Sequence, residues 1–285
     1  MRVDAAYQVC AERVNKAGSS FYHGMRLLPP RKRMAIYAVY AWSRICDDAV
    51  DDYHGAEAAV QLERAANLYA RARADVWAQD ADPVTVALGD AIRSFHMSEQ
   101  PFRDFLAGMR MDLLPQVFKT FSELELYCQR VAGTIGTFCV EIFGYTDKQA
   151  RDLAVDMGIA LQLTNILRDL KEDADRGRIY LPRDDMHEHG VRVQDIISGY
   201  VSPQLKELLA HEAERAHAYY TRATGLFQLV EPDSLPTLQL LYDVYYVTLQ
   251  KIEQAGYDVW NTHVRVSQPE KLKLVSAALW QSITG

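Results

Sequence analysis

Apolar residues recur at three- and four-residue spacing along almost the whole chain, and sustained two-residue alternation is nearly absent. That period puts apolar side chains on one stripe of a helix, so strands cannot be the main building unit. The 285 residues must therefore bury their surface by packing helix on helix. Prolines and capping spacings punctuate the pattern. Pro29 and Pro30 precede a helix over about 31–53, and a second runs over about 57–77. Pro83 opens one that ends near Phe95, and Pro101 lies in the first turn of the next. Ser122 with Glu125 has capping-box spacing and predicts a helix to about Gly144. Asp147 caps another that runs to about Glu172, and the stretch 173–185 (DADRGRIYLPRDD) reads as a loop broken by Gly177 and Pro182. Helices follow over about 203–230 and 234–255, and Ser267 with Glu270 forms a second capping box for the last. With no repeat, low-complexity tract or linker, residues 1–285 are expected to form one all-α domain.

Two helical segments carry acidic residues at an unusual spacing. In Arg44-Ile-Cys-Asp-Asp-Ala-Val-Asp-Asp, Asp47 and Asp51 share a face, and Asp48 and Asp52 share the adjacent one. Like charges four apart repel, and here they follow the apolar run MAIYAVYAW. Something cationic should compensate, and Mg²⁺ suits because it takes one or two carboxylates and fills its octahedron with water and phosphate oxygens. Alone, such a pair is more often a solvated helix end. The second segment, QLTNILRDLKED, places Gln162, Asn165, Asp169 and Asp173 on one stripe, at offsets of three, four and four. Amides and carboxylates in a row on a helix rich in Ile and Leu are not an ordinary core face, since buried polar groups need partners. Two acidic faces can clamp a diphosphate through several Mg²⁺ ions and so help its C–O bond ionise. Arg44, Arg168 and Arg178 stand beside these carboxylates, and guanidinium forks suit phosphate oxygens, although a lone Arg is more commonly an intrahelical ion pair.

Composition narrows the function further. The net charge is −7 and no long basic run is present, which argues against a nucleic-acid partner. Cys10, Cys46, Cys128 and Cys139 form no CxxC pair and read as small buried hydrophobes in a reducing cytosol. The first residues carry charge throughout and lack an apolar signal core, and no stretch approaches a spanning length; the longest apolar candidate is 131–140. A cytoplasmic location is expected. The segment 272–283 is mildly apolar around Lys273 and reads as a packing helix that could also touch a membrane surface transiently.

With these motifs the chain resembles the squalene/phytoene synthase family over nearly its whole length, from about residue 7 to 274. The resemblance is carried by GSSFY at 18–22, LLPP at 27–30, Arg44 with DDAVDD, YCQRVAGTIG at 127–136, QLTNILRDLKED, and RIYLP at 178–182. Terpene cyclases and head-to-tail prenyltransferases also use aspartate-rich helices, but do not usually join YCxxVAGTxG to QLxNxxRDxxED. The family implies an all-α isoprenoid-synthase bundle around a central cavity. It also implies head-to-head condensation of two prenyl diphosphates through an allylic cation and a cyclopropylcarbinyl diphosphate. By position, Asp47, Asp51, Asp169 and Asp173 would hold Mg²⁺, while Arg44, Gln162, Asn165, Arg168 and Arg178 would bind diphosphate or support the metal ligands. Tyr127, Tyr180 and Tyr245 match the active-site tyrosines. Phe21, Tyr22, Met25, Tyr37, Phe138 and Leu161 are candidates for the wall of a dry prenyl tunnel. Gly133 and Gly136 would let helix and prenyl chain approach, or simply let helices pack.

Two positions depart from the family pattern. Ala17 stands where some members carry His, and the C-terminal arginine aligns only with an offset, near His263 and Arg265, of which Arg265 is the candidate. Bulk at Met25 and Tyr37, and the wording of SSFYHGMRLLPP and RGRIYLP, favour two farnesyl diphosphates and presqualene diphosphate, as in bacterial squalene and hopanoid pathways, with a C30 product or downstream isoprenoid enzymes beyond. The alternatives are phytoene synthesis from two geranylgeranyl diphosphates and a non-catalytic assembly protein on the same fold. No GxGxxG fingerprint indicates NADPH, although squalene-forming relatives bind it without one.

Overall fold

A computed structural model of the protein describes residues 1–16, 24–74, 79–80, 82–114, 117–262 and 264–284, the last six through their backbone alone. As the periodicity requires, the described residues fold into helices, and β-structure among them is confined to isolated bridges such as Val117 with Ile179. The order is α1 (Val3–Lys16), α2 (Pro30–Asp51), α3 (Gly55–Arg73), α4 (Pro83–Ser94) and α5 (Glu99–Met111). Then come α6 (Phe121–Cys128), a π-helical turn (Gln129–Gly133) and α7 (Thr134–Phe143), which form one continuous rod. After these follow α8 (Gln149–Arg168), α9 (Leu170–Asp175), α10 (Arg183–Glu188), α11 (Val193–Ser198), α12 (Pro203–Ala223), α13 (Leu235–Gln254) and α14 (Gln268–Thr284).

Local chemistry sets many of these bounds. Asp82 accepts from Val84 N and Thr85 N at 2.9 and 3.1 Å, with Pro83 just inside α4. At α14 the Ser267/Glu270 box forms as expected, Ser267 N donating to Glu270 Oε2 at 2.7 Å. The box expected at Ser122 does not form. Thr120 caps α6 instead, accepting from Glu123 N at 3.4 Å, and Glu125 is drawn away by the Tyr219 hydroxyl. The helix expected to run unbroken to Glu172 bends at Asp169, although Asp169 N and Asp173 N still bond to Asn165 O and Asp169 O, at 2.8 Å each. The loop expected over 173–185 is shorter, because α9 runs to Asp175 and α10 starts at Arg183.

Two helices organise the packing. α2 lies against α1, α3, α4, α5 and α7, and α8 lies against α12, α7, α13 and the π-turn. One continuous buried cluster, from Ala6 to Val264, joins both sets. On the α2 side its centre is Trp42, fully buried, 5.3 Å from the rings of Phe102 and Phe105 and 6.5 Å from Phe138. Its indole N–H donates to Ala65 O at 2.9 Å, so the ring is buried without an unpaired donor.

The α6–α7 rod reaches α8 through glycines. A β-carbon on Gly136 would overlap the Ala154 carbonyl, and one on Gly158 would overlap the Ala132 carbonyl. On the other flank of the π-turn, a β-carbon on Gly108 of α5 would lie 2.9 Å from Val131 Cγ1. The widened turn therefore fits between two glycines from distant parts of the chain.

Candidate active site

The two acidic segments meet at one end of a cavity between α2, the α6–α7 rod, α8 and α13. Asp47 and Asp51 point inward from the last turns of α2, while Asp48 turns outward to Arg44, at 2.7 Å. Opposite them, α8 brings Gln162 and Asn165, the bend brings Asp169, and α9 brings Asp173. Arg44, Arg168 and Arg178 line the same polar chamber, with Arg176 beside them. Arg178 donates to Asp51 at 2.7 Å and Arg168 to its neighbour Asp169 at 2.7 Å.

Tyr127 and Tyr180 form the chamber's aromatic wall, 5.3 Å apart and 25° from parallel, backed by Phe118. The Tyr127 hydroxyl donates to Asp112 Oδ2 at 3.1 Å. Asp112 lines the chamber too and is a residue that sequence reasoning missed: it follows α5 as a lone acid, with no partner at helical spacing.

Part of the chamber's polar lining lacks partners. Asp112 Oδ1 and Asn165 Oδ1 are buried with no hydrogen bond. Burial pushes Asp47 and Asp173 up to about 7 and Asp112 to about 6, against the pull of Arg44 on Asp47 and of Arg178 on the other two. Hard oxygen donors left without a partner, and carboxylates whose charge is penalised by burial, are both groups that a divalent cation can relieve. Among the described residues, no three carboxylates, imidazoles or thiolates already converge on one point. Mg²⁺ takes one or two carboxylates and draws its remaining ligands from water and phosphate. Asp47, Asp51, Asp169 and Asp173 are the residues available to it.

Behind the chamber the cavity turns apolar, with a volume of about 350 Å³. Arg44, Asp47, Val131, Gln162 and Asn165 border both parts, so the two are continuous. Tyr245 stands near the junction and its phenol is raised by burial. From there the wall descends past Leu161, Gly158 and Ala154 on α8 and past Ile135, Gly136, Cys139 and Phe143 on α7. Helical rise makes that descent, Asn165 to Ala154 or Val131 to Phe143, roughly 16–18 Å.

Among the described residues, several expected tunnel residues lie elsewhere. Phe21 and Tyr22 fall outside the described residues. Phe138 packs into the Trp42 cluster, 4.3 Å from Phe102, because its position on α7 faces α5 and α2. Gly133 faces Val155 and serves helix packing. Met25 and Tyr37 are buried but border neither the chamber nor the apolar cavity, which leaves Leu161 and Gly136 as the expected wall residues that do. Arg265 is outside the chamber, in an outer groove behind Arg168 and Asp169, with Glu172 3.8 Å away. His263 also falls outside the described residues.

Comparison with known proteins agrees with this architecture. Residues 14–270 match the family model described as squalene/phytoene synthase. The chain is 35% identical to a 15-cis-phytoene synthase of Synechocystis sp., covering 97% of this chain and 85% of that protein. It is also 35% identical to the chloroplastic phytoene synthase 2 of Solanum lycopersicum, covering 98% and 91%. Among solved structures, a dehydrosqualene synthase in complex with ligand superposes with a TM-score of 0.90 at 29% identity, covering 99% of this chain and 98% of that one. The squalene synthase HpnC from Alicyclobacillus acidocaldarius superposes with a TM-score of 0.82 at 26% identity, covering 90% and 95%.

Proposed function

The chain belongs to the squalene/phytoene synthase family, and from that premise we propose that it joins two C20 prenyl diphosphates head to head to give phytoene. The observation that carries this is the continuity of an acidic, arginine-lined chamber with an apolar shaft whose lining residues span roughly 16–18 Å of helix. At about 1.25 Å of advance per C–C bond, an extended C20 chain spans roughly 19 Å and a C15 chain roughly 14 Å. A slightly curled C20 chain fills the shaft, whereas a C15 chain leaves its end empty. The names of the relatives at 34–35% identity favour the same substrate length over the farnesyl diphosphate suggested by motif wording. The dehydrosqualene synthase, the more similar of the two solved structures by TM-score, keeps the C15 substrate as the second reading.

In this scheme Asp47, Asp51, Asp169 and Asp173 would hold Mg²⁺, which when bound would supply Lewis-acid assistance to C–O ionisation, and Arg44, Arg168 and Arg178 hold diphosphate oxygens. The allylic cation forms where the chamber meets the shaft. Leu161, Ile135 and Met157 exclude water there, and the Tyr245 ring is near enough to steady positive charge. The second substrate's double bond attacks, giving a cyclopropylcarbinyl diphosphate. A second ionisation and rearrangement end in loss of a proton, so no reductant is consumed. We assign the buried Asp112 carboxylate, held by the Tyr127 hydroxyl, as the group that receives that proton.

Diphosphate release is the test. With Mg²⁺ and C20 diphosphate, one diphosphate should appear per substrate consumed, EDTA should stop release, and kcat/KM should exceed that for C15 diphosphate. Release that ignores EDTA, or a preference for C15, would count against the scheme.

A further inference from the structure

The far end of the shaft is closed by three side chains from three elements: Phe143, the last residue of α7, Leu226, in the 3₁₀ turn after α12, and Leu238 of α13. Each is at most 3% exposed, so these side chains present almost no surface to solvent. What holds Phe143 in place is a polar knot on its outer side. Lys32 of α2 reaches across with its ammonium group and donates to the Phe143 carbonyl at 2.6 Å. The same ammonium bonds Glu231 at 2.8 Å and Asp233 at 2.5 Å, and Ser234 Oγ also donates to the Phe143 carbonyl, at 3.2 Å. Gly144 follows with φ +79°, and a β-carbon there would overlap the Glu231 carboxylate. Helix α7 thus stops at Phe143 against the 231–234 segment, and Lys32 is the clasp between them.

We propose that the Phe143 ring is the stop that limits prenyl chain length, and that Lys32, by holding the Phe143 carbonyl, is the positioning residue that keeps the stop in place. The inference rests on the prenyl-diphosphate reading of the site but not on which length the wild type prefers. A ring at the blind end meets the last isoprene unit of a chain that fills the shaft. Removing it adds room for roughly one further unit, while the chamber where the chemistry occurs is untouched. Loosening the clasp lets the ring yield without removing it, and so relaxes the limit less.

The test separates binding from turnover by using non-ionising prenyl thiolodiphosphates of C15, C20 and C25 and measuring Kd for each. For the wild type, affinity should drop past the length that fills the shaft. In Phe143→Ala the ratio of affinity for the next longer chain over the native one should rise by about tenfold or more, given the apolar surface of an added isoprene unit. Lys32→Met should raise the same ratio by a few-fold and Lys32→Arg should restore it, which a merely stabilising lysine would not do. Phe143→Leu serves if the alanine variant unfolds, and Phe143→Trp should shift the preference one unit shorter. An unchanged length ratio in folded Phe143→Ala and Phe143→Leu overturns the proposal, as does an equal loss of affinity for all three lengths. A wild type that binds C15 best refutes the C20 assignment alone, since the variants are still read against their own native length. A wild type that binds none of the three refutes the site reading on which both rest.

Discussion

At the scale of single residues, the decisive side chains are those that the fold leaves undercompensated. Asp47 is raised to about 7 by burial, and Arg44, the nearest cation, is paired with Asp48. A carboxylate in that position stabilises the protein only when a cation arrives. Asp47→Asn and Asp169→Asn should each lower turnover by about a thousandfold, several kcal/mol of transition-state charge stabilisation, while far-UV circular dichroism stays unchanged. Without metal at pH 8, Asp47→Asn should melt no lower than the wild type. A lower Tm there would mean that the carboxylate is structural. Asp112 and Tyr127 should behave as one unit: with a 3.1 Å hydrogen bond between them, Asp112→Asn and Tyr127→Phe should each slow product formation, and the double variant should be little worse than either alone. Fully additive losses would separate their roles. The four aspartates were legible in the sequence because four-residue spacing repeats on two helices. Asp112 was not, since its meaning comes from Tyr127 and Arg178, which only the fold brings near.

At the scale of elements, helices were legible and their irregularities were not. Proline, Asp82 and the Ser267/Glu270 box act through neighbours a few residues away, so their signals are local. The π-turn depends on Gly108 and Gly158, which lie on other helices, and the Thr120 cap wins because Tyr219, ninety-four residues from Glu125, claims that carboxylate. The turn also places Val131 at the border of chamber and shaft, in keeping with the frequent occurrence of π-bulges at functional sites. The glycine contacts predict a measurable cost. Gly136→Ala and Gly158→Ala must push the α6–α7 rod off α8, at about 1–3 kcal/mol each, lowering Tm by several degrees. Since the rod lines the shaft, product formation should fall as well. Surface Gly190→Ala, with open space around its β-carbon position but φ +67°, should cost less and leave activity intact.

For the molecule as a whole, the buried carboxyls couple stability to pH and to metal. Asp47, Asp173 and Glu212 are raised to about 7 and Asp112 to about 6, burial being the largest cause in each. These values lie above the ordinary carboxylate value of about 4. Between about pH 4 and 7 the native state therefore keeps protons that the unfolded chain has lost, so the metal-free protein should lose stability as pH rises through that window. Mg²⁺ competes with those protons, and its effect on Tm should grow from pH 6 to pH 8. A metal-induced shift that shrinks with rising pH would contradict the placement of the ions among these carboxylates. Fold class and the convergence of the two acidic segments were legible in the sequence because each motif lies within a dozen residues. The far end of the shaft was not, because it is assembled from residues 143, 226 and 238, with residue 32 bonded behind it. Met25 and Tyr37, the local candidates for that role, face the core.

Product identity decides between the two substrate lengths. Purified protein is incubated with Mg²⁺ and either farnesyl or geranylgeranyl diphosphate, with and without NADPH, and products are identified by mass spectrometry after extraction and phosphatase treatment. A C40 hydrocarbon from the C20 substrate, formed equally without NADPH, is the predicted result. A C30 product from farnesyl diphosphate with none from the longer substrate would contradict it.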